Sequence, residues 1–328
     1  MTALAPVLEA FFTERLAQRR ASPHTVASYR DTFCLLLRYA LERLGKPPSR
    51  LDFTDLDAPF IGAFLRYLEA ERGNSIATRN NRLTAIHSLF SYAALRCPEH
   101  AALTSRVLAI PSKRADTTLV SFLTPAETAA LLAAPDRGTW IGRRDHVLLL
   151  VAVQTGLRVS ELTGVNCGDV ALGAGANLGC HGKGRKQRCT PLTRATARIL
   201  ADWLRERDSQ PADPLFPART GGRLSTDAVA DLLARHATSA ARQCPSLSRK
   251  KITPHTLRHT AAMNLLHAGV DTSTIALWLG HAGTNATQVY LHADLALKEA
   301  ALARTAPPDA RRVRYRPPDH LLAFLEGL

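Results

Sequence analysis

Apolar positions recur with a helical period through most of the first hundred residues. Ser22-Pro23 offers an N-cap followed by proline at the first helical position. Val26, Tyr29, Phe33, Leu36, Leu37, Ala40, Leu41 and Leu44 then return at helical spacing, and Gly45 with Pro47-Pro48 ends the run. A shorter helix is expected after Asp57-Ala58-Pro59, with Phe60, Ile61, Phe64, Leu65 and Leu68 inward. A third starts near Ser75 and buries Ile76, Leu83, Ile86, Leu89, Phe90 and Ala93. Periodicity lapses between Pro98 and Phe122, and Thr124-Pro125-Ala126-Glu127 then reads as a capping box opening a new helix.

The later pattern is different. An apolar helix through Val147–Val153 runs into Gln154-Thr155-Gly156-Leu157-Arg158, and from about Val170 to Leu192 the helical period gives way to a glycine-rich stretch. Two or three short antiparallel strands joined by tight turns are expected there. Helices resume around Ile199–Leu204, after Ser225 and after Thr253-Pro254, with Gly269 and Gly280 as helix stops. The expected fold is therefore mainly α. A helical N-terminal domain (1–105) leads through a connector (106–120) to a mixed α/β domain with a small antiparallel sheet (121–304). A proline- and arginine-rich arm (305–328) follows, carrying the apolar stripe Leu321, Leu322, Leu325 and Leu328.

Charge narrows the classes of function. The 328 residues carry 42 Lys and Arg against 28 Asp and Glu, a net +14, and the surplus is split as +6 in residues 1–115 and +8 beyond. An excess spread over both halves favours a polyanionic partner that both domains grip, nucleic acid or an acidic membrane surface. No run of 18 apolar residues is present, so no membrane-spanning helix is expected. The acidic Glu9 ahead of the first basic residue is wrong for a secretory leader. Six scattered cysteines without a C-x-x-C pair suit a reducing, cytoplasmic setting.

Several side chains suit phosphate or base-edge contacts. Arg79, Asn80 and Arg82 lie on the polar side of the third helix, where a merely solvated face is the alternative. Lys113 and Arg114 in the connector either cross a phosphate backbone or belong to an inert hinge. The run His181-Gly182-Lys183-Gly184-Arg185-Lys186-Gln187-Arg188 adds Lys183, Arg185 and Lys186. His255-Thr256-Leu257-Arg258-His259 has two histidines four apart, but lacks the glutamate of a zinc-binding helix and puts a cation where a metal would sit. No metal or other cofactor is expected. A phosphodiester can be opened without metal by a nucleophile, guanidinium groups over the non-bridging oxygens and an acid for the leaving oxygen. Arg158, a lysine of that glycine-rich run, His255, Arg258, His281 and Tyr290 form a chemically adequate set.

Thr155-Gly156-Leu157-Arg158-Val159-Ser160-Glu161-Leu162, His255-Thr256-Leu257-Arg258-His259-Thr260, Leu279-Gly280-His281 and Tyr290 closely resemble, in order and spacing, the tyrosine recombinase (phage integrase) family. The resemblance covers nearly the whole chain, with residues around 6–96 similar to the core-binding domain. It implies a site-specific DNA recombinase in which Tyr290 forms a 3′-phosphotyrosyl link and Arg158 and Arg258 clamp the phosphate. Lys183 would be the general acid, although Lys186 also fits a hairpin lysine, and His255 and His281 would complete the site. Glu161 would support the arginines, and His259 is expected to be structural, turned away from His255 on its helix. The implied partners are duplex DNA with inverted-repeat half-sites and further copies of the chain, as a tetramer on two sites. A related topoisomerase acting through a covalent tyrosine and a non-catalytic DNA-binding regulator of a mobile element are the alternatives.

Overall fold

The computed structural model describes residues 3–114, 120–182 and 187–280 together with Thr287 and Tyr290. The chain divides into two compact units, residues 1–117 and 118–328.

The first unit is helical. It comprises α1 (Leu4–Ala10), a π-turn (Phe11–Arg15), α2 (Leu16–Gln18), α3 (Pro23–Leu44), α4 (Ala58–Ala70), α5 (Ile76–Arg96) and α6 (Ala101–Leu108). The local signals act as expected: the Ser22, Asp57 and Ser75 side chains accept the N–H of Thr25, Phe60 and Thr78, and Gly45 ends α3 at φ +66°. Phe11, Phe33, Leu36, Phe64, Leu68, Leu83 and Phe90 build the core. Two details depart from the periodic reading. Leu41 and Leu44 remain 44% and 39% exposed, because the inward face of α3 ends at Tyr39 and Ala40, where Tyr39 packs on Phe60, Phe64 and Tyr67. The unit also reaches past residue 105: Val107 is fully buried in its core and Ile110 packs against it.

The second unit holds α7 (Pro125–Ala133), α8 (Trp140–Thr155), α9 (Val159–Gly164), β1 (Val170–Ala171), β2 (Asn177–His181), β3 (Gln187–Pro191), α10 (Arg194–Arg207), α11 (Thr226–Ala240), α12 (Pro254–His267) and α13 (Thr272–Leu279). The strands form one antiparallel sheet in the order β1-β2-β3, with His181 opposite Gln187 and Cys180 opposite Arg188. Val147, Leu148, Val151, Leu178, Leu200, Trp203 and Leu232 fill the main core, and Met263, Leu266, Ile275, Leu279 and Tyr290 form a smaller one. Among the described residues, no helix is long and apolar enough to cross a membrane.

Gly156 is the junction that matters for function. It ends α8 at φ +64°, and a Cβ there would lie 2.6 Å from Leu279 Cδ2 and 3.1 Å from the Ala261 Cβ. Only glycine allows both this backbone and the close approach of α12 and α13. The chain then turns through Leu157 so that Arg158 becomes the N-cap residue of α9.

Candidate active site

Two arginines are held by the C-terminal ends of two helices. Arg258, on the buried face of α12 and 4% exposed, donates from Nη1 to the Gly156 carbonyl (2.6 Å) and from Nη2 to the Leu279 carbonyl (2.7 Å). Arg158 donates from Nη2 to the Gly280 carbonyl (3.1 Å) and from Nη1 to Glu161 Oε1 (2.9 Å). The carbonyls at the ends of α8 and α13 have no partner within their own helices, and guanidinium groups satisfy them while meeting the negative ends of the helix dipoles. These bonds use two of the five N–H groups of each arginine. Burial, with the nearby charge of Arg158, pushes the Arg258 guanidinium down to about 10, still a cation at neutral pH.

Glu161 sets the orientation of Arg158. Its carboxylate also accepts the Arg158 backbone N–H (2.8 Å) and a two-pronged pair from Arg188 on β3 (Nη1–Oε1 2.9 Å, Nη2–Oε2 2.7 Å). Burial opposes its ionisation, but the bonds from Arg188 and Arg158 outweigh it and hold the carboxyl below its ordinary value. Three guanidinium groups against one carboxylate leave the site cationic, as a phosphate site should be.

Tyr290 is 2% exposed and packs in the smaller core. Its hydroxyl lies 3.0 Å from His259 Nδ1, and the two rings meet edge-on with centroids 5.6 Å apart. Burial raises the phenol's pKa, with Arg258 and Arg158 opposing the shift, so the hydroxyl is protonated at neutral pH. His255 is exposed, its ring facing that of His259 at 6.4 Å. The expectation that His259 turns away from His255 is therefore corrected. Positions four apart on an α-helix differ by only about 40° in direction, so both rings share one side of α12.

The site thus unites Arg158, Arg258 and Tyr290, with His255 beside His259. Lys183, Arg185, Lys186 and His281 lie outside the described residues, as does the arm 305–328. Arg188 was missed by sequence reasoning. It stands in the same basic run, but only the strand register and the carboxylate it meets distinguish it from its neighbours. Its removal is a direct test of the clamp. In Arg188→Gln, a buried carboxylate loses its two-pronged partner, which should lower stability at pH 7 by about 3 kcal/mol. Glu161 contributes stability above its unfolded value, and that contribution is lost as pH falls through its depressed folded value. The difference between variant and wild type should therefore shrink below about pH 4. Urea melts at the two pH values measure it, and a constant difference would remove Glu161 from the explanation.

The contacts expected from the first unit divide differently. Arg79 is corrected from a surface cation to a buried anchor: it is 6% exposed and donates to the Pro111 carbonyl (3.0 Å) and Asn80 Oδ1 (2.9 Å). Asn80 in turn grips the backbone of Lys113 at both its C=O (2.8 Å) and its N–H (3.1 Å). Together they fasten the chain after α6 onto α5, because buried polar groups must find partners. Lys113 pairs with Glu69 at 2.8 Å while its side chain stays half-exposed, Arg82 is half-buried and Arg114 is exposed.

Comparison with known proteins gives the family. Residues 121–296 match the model of the phage integrase family, and residues 8–96 match the SAM-like N-terminal domain of phage integrases. The chain belongs to the phage integrase family. It is a tyrosine-type site-specific DNA recombinase. It is 57% identical to the putative integrase/recombinase y4rC of Sinorhizobium fredii, over 99% of this chain and 98% of that protein. It is 36% identical to the tyrosine recombinase XerC of Rhodospirillum centenum, over 90% of this chain and 84% of that protein. Among solved structures, the XerH site-specific recombinase bound to a palindromic difH substrate after cleavage is 25% identical with a TM-score of 0.69, covering 88% of this chain and 82% of that one. A lambda integrase dimer bound to a core site shares the fold at 19% identity and a TM-score of 0.63, over 86% of this chain and 96% of that one.

Proposed function

We propose that this recombinase opens one strand of a duplex site by attack of the Tyr290 hydroxyl on a backbone phosphate. The 3′ phosphate is kept as a phosphotyrosyl ester, and the freed 5′-hydroxyl is released for transfer to a partner duplex through a Holliday junction. The observation that carries this reading is the Tyr290 hydroxyl held within one small site with Arg158 and Arg258, whose charges act on it. The arginines neutralise the phosphorane as charge builds on its non-bridging oxygens. The ester conserves bond energy, so the second transfer needs neither a nucleotide nor a metal ion. Lys183, with Lys186 as the competing choice, protonates the departing 5′ oxygen, and His255 and His281 contact the phosphate, all by family resemblance.

The DNA partner in this reading is a pair of inverted half-sites around a short spacer, each half-site holding one monomer, with four chains on two sites in the cytoplasm. The palindromic substrate bound by XerH and the dimer of lambda integrase on its core site support that assembly. Arg82, Lys113, Arg114, Arg185 and Lys186 supply phosphate contacts. The test is a duplex nicked beside the cleavage point, incubated with the protein in chelator. A shifted band that protease removes is the expected product, and its absence on cognate DNA would overturn the reading.

A further inference from the structure

We propose that His259 is the general base that takes the proton from Tyr290. The inference deepens the reading above and rests on Tyr290 as nucleophile.

A neutral phenol is a poor nucleophile, and the surroundings of Tyr290 keep it neutral despite two nearby guanidinium groups. Something must accept its proton as the oxygen attacks. The acceptor has to be within hydrogen-bond reach, uncharged at the working pH and fixed in place. His259 meets the first condition with Nδ1 at 3.0 Å from the hydroxyl oxygen. The second follows from its setting: burial, then the charges of His255 and Arg258, hold the imidazole below its ordinary value, so it is neutral at pH 7. The third follows from α12, which is capped by Thr253 and buried along the face carrying Thr256, Leu257, Arg258 and Thr260. With the ring proton on Nε2, Nδ1 presents its lone pair to the hydroxyl. His255 is less well placed, being exposed one turn earlier with its ring on that of His259.

In the step, the Tyr290 O–H bond breaks and its proton moves to His259 Nδ1 while the oxygen forms the new bond to phosphorus. The bond from phosphorus to the 5′ oxygen breaks, and that oxygen takes a proton from the general acid. Religation runs the same sequence backwards, with the His259 imidazolium returning its proton to the departing phenolate. Among the described residues, the charged and titratable groups facing His259 are His255 and Arg258 from its own helix and Tyr290 from beyond α13, with Arg158 acting on Tyr290.

The test uses the full chain and measures single-turnover cleavage of the nicked duplex at saturating protein, half-site affinity and thermal melting. His259→Asn keeps an amide near the position of Nδ1 but accepts no proton. Cleavage should fall by about 100-fold with half-site affinity and melting nearly unchanged, the size expected of one lost general base. The wild-type rate should decline in acid, at a pH below the ordinary imidazole value, and this acidic limb should be missing in His259→Asn. A fluorinated tyrosine at position 290, whose phenol ionises without help, should restore most of the lost rate. The proposal is overturned if His259→Asn cleaves at nearly the wild-type rate, if the fluorinated tyrosine fails to rescue it, or if His255→Asn is the variant that loses the limb and is rescued. Tyr290→Phe separates the two levels. An adduct surviving that change sinks the nucleophile itself, whereas loss of the adduct there with a normal His259→Asn sinks only the base.

Discussion

Tyr290→Phe should form no covalent adduct on a nicked duplex yet still bind a half-site almost as the wild type does. Removing the nucleophile of a covalent mechanism costs on the order of a millionfold in the step it performs, which is total loss on the scale of a gel. Binding survives because the change deletes one oxygen from a ring whose remaining atoms keep their packing with Met263, Leu266, Ile275 and Leu279. The loss of the bond to His259 costs about 1 kcal/mol of stability, well short of unfolding the domain. A gel for the protease-sensitive band, run beside a half-site titration, reads both effects. A band of normal strength in the Phe variant would place the nucleophile elsewhere.

Arg258→Lys should cleave at least 100-fold more slowly than the wild type, from the roughly 3–4 kcal/mol carried by a preorganised donor to a developing oxyanion, and its defect should deepen with rising pH. Geometry accounts for the first effect. The guanidinium reaches the Gly156 and Leu279 carbonyls at 2.6 and 2.7 Å while keeping N–H groups for phosphate. An ammonium on a flexible stem cannot span both carbonyls and the substrate. Electrostatics accounts for the second. Burial and Arg158 push the arginine down to about 10, which leaves it charged. The same environment would push a lysine, ordinarily near 10.4, well below that value. The lysine then loses its charge at a lower pH than the arginine does, so the variant's defect should deepen from pH 7 to 9 beyond any change in the wild type. Single-turnover rates from pH 7 to 9 measure this. A modest, pH-independent loss would mean that the buried position does not discriminate between the two cations.

Much of the site was legible because its parts are short and local. Gly280 was read as a helix stop and does end α13 at φ +64°, since a left-handed cap depends on backbone geometry over a few residues. The support of Arg158 by Glu161 spans three positions, one helical turn. The direction of His259 was misjudged although its spacing from His255 is equally local, and its contact with Tyr290 was not foreseen. The deciding neighbour, Tyr290, comes from another segment 31 positions away, and no periodicity on α12 points to it. Arg188 was hidden for a related reason: its partner Glu161 lies 27 positions upstream, on a different element.

The sequence by itself determined the elements, the caps that start and stop them, and the cast of side chains suited to phosphate chemistry. Those follow from backbone sterics, hydrogen bonding within a turn and side-chain pKa values, all of which act at short range. Only the tertiary structure decided what each charge does. Arg79 has the composition of a DNA contact, yet Pro111 and Asn80 claim its guanidinium and make it an anchor. Arg188 has the same side chain, yet a buried carboxylate turns it into the clamp behind Arg158. A cation's role depends on which acceptors it meets and how much water is excluded around it, and both are set by packing between segments far apart in the chain.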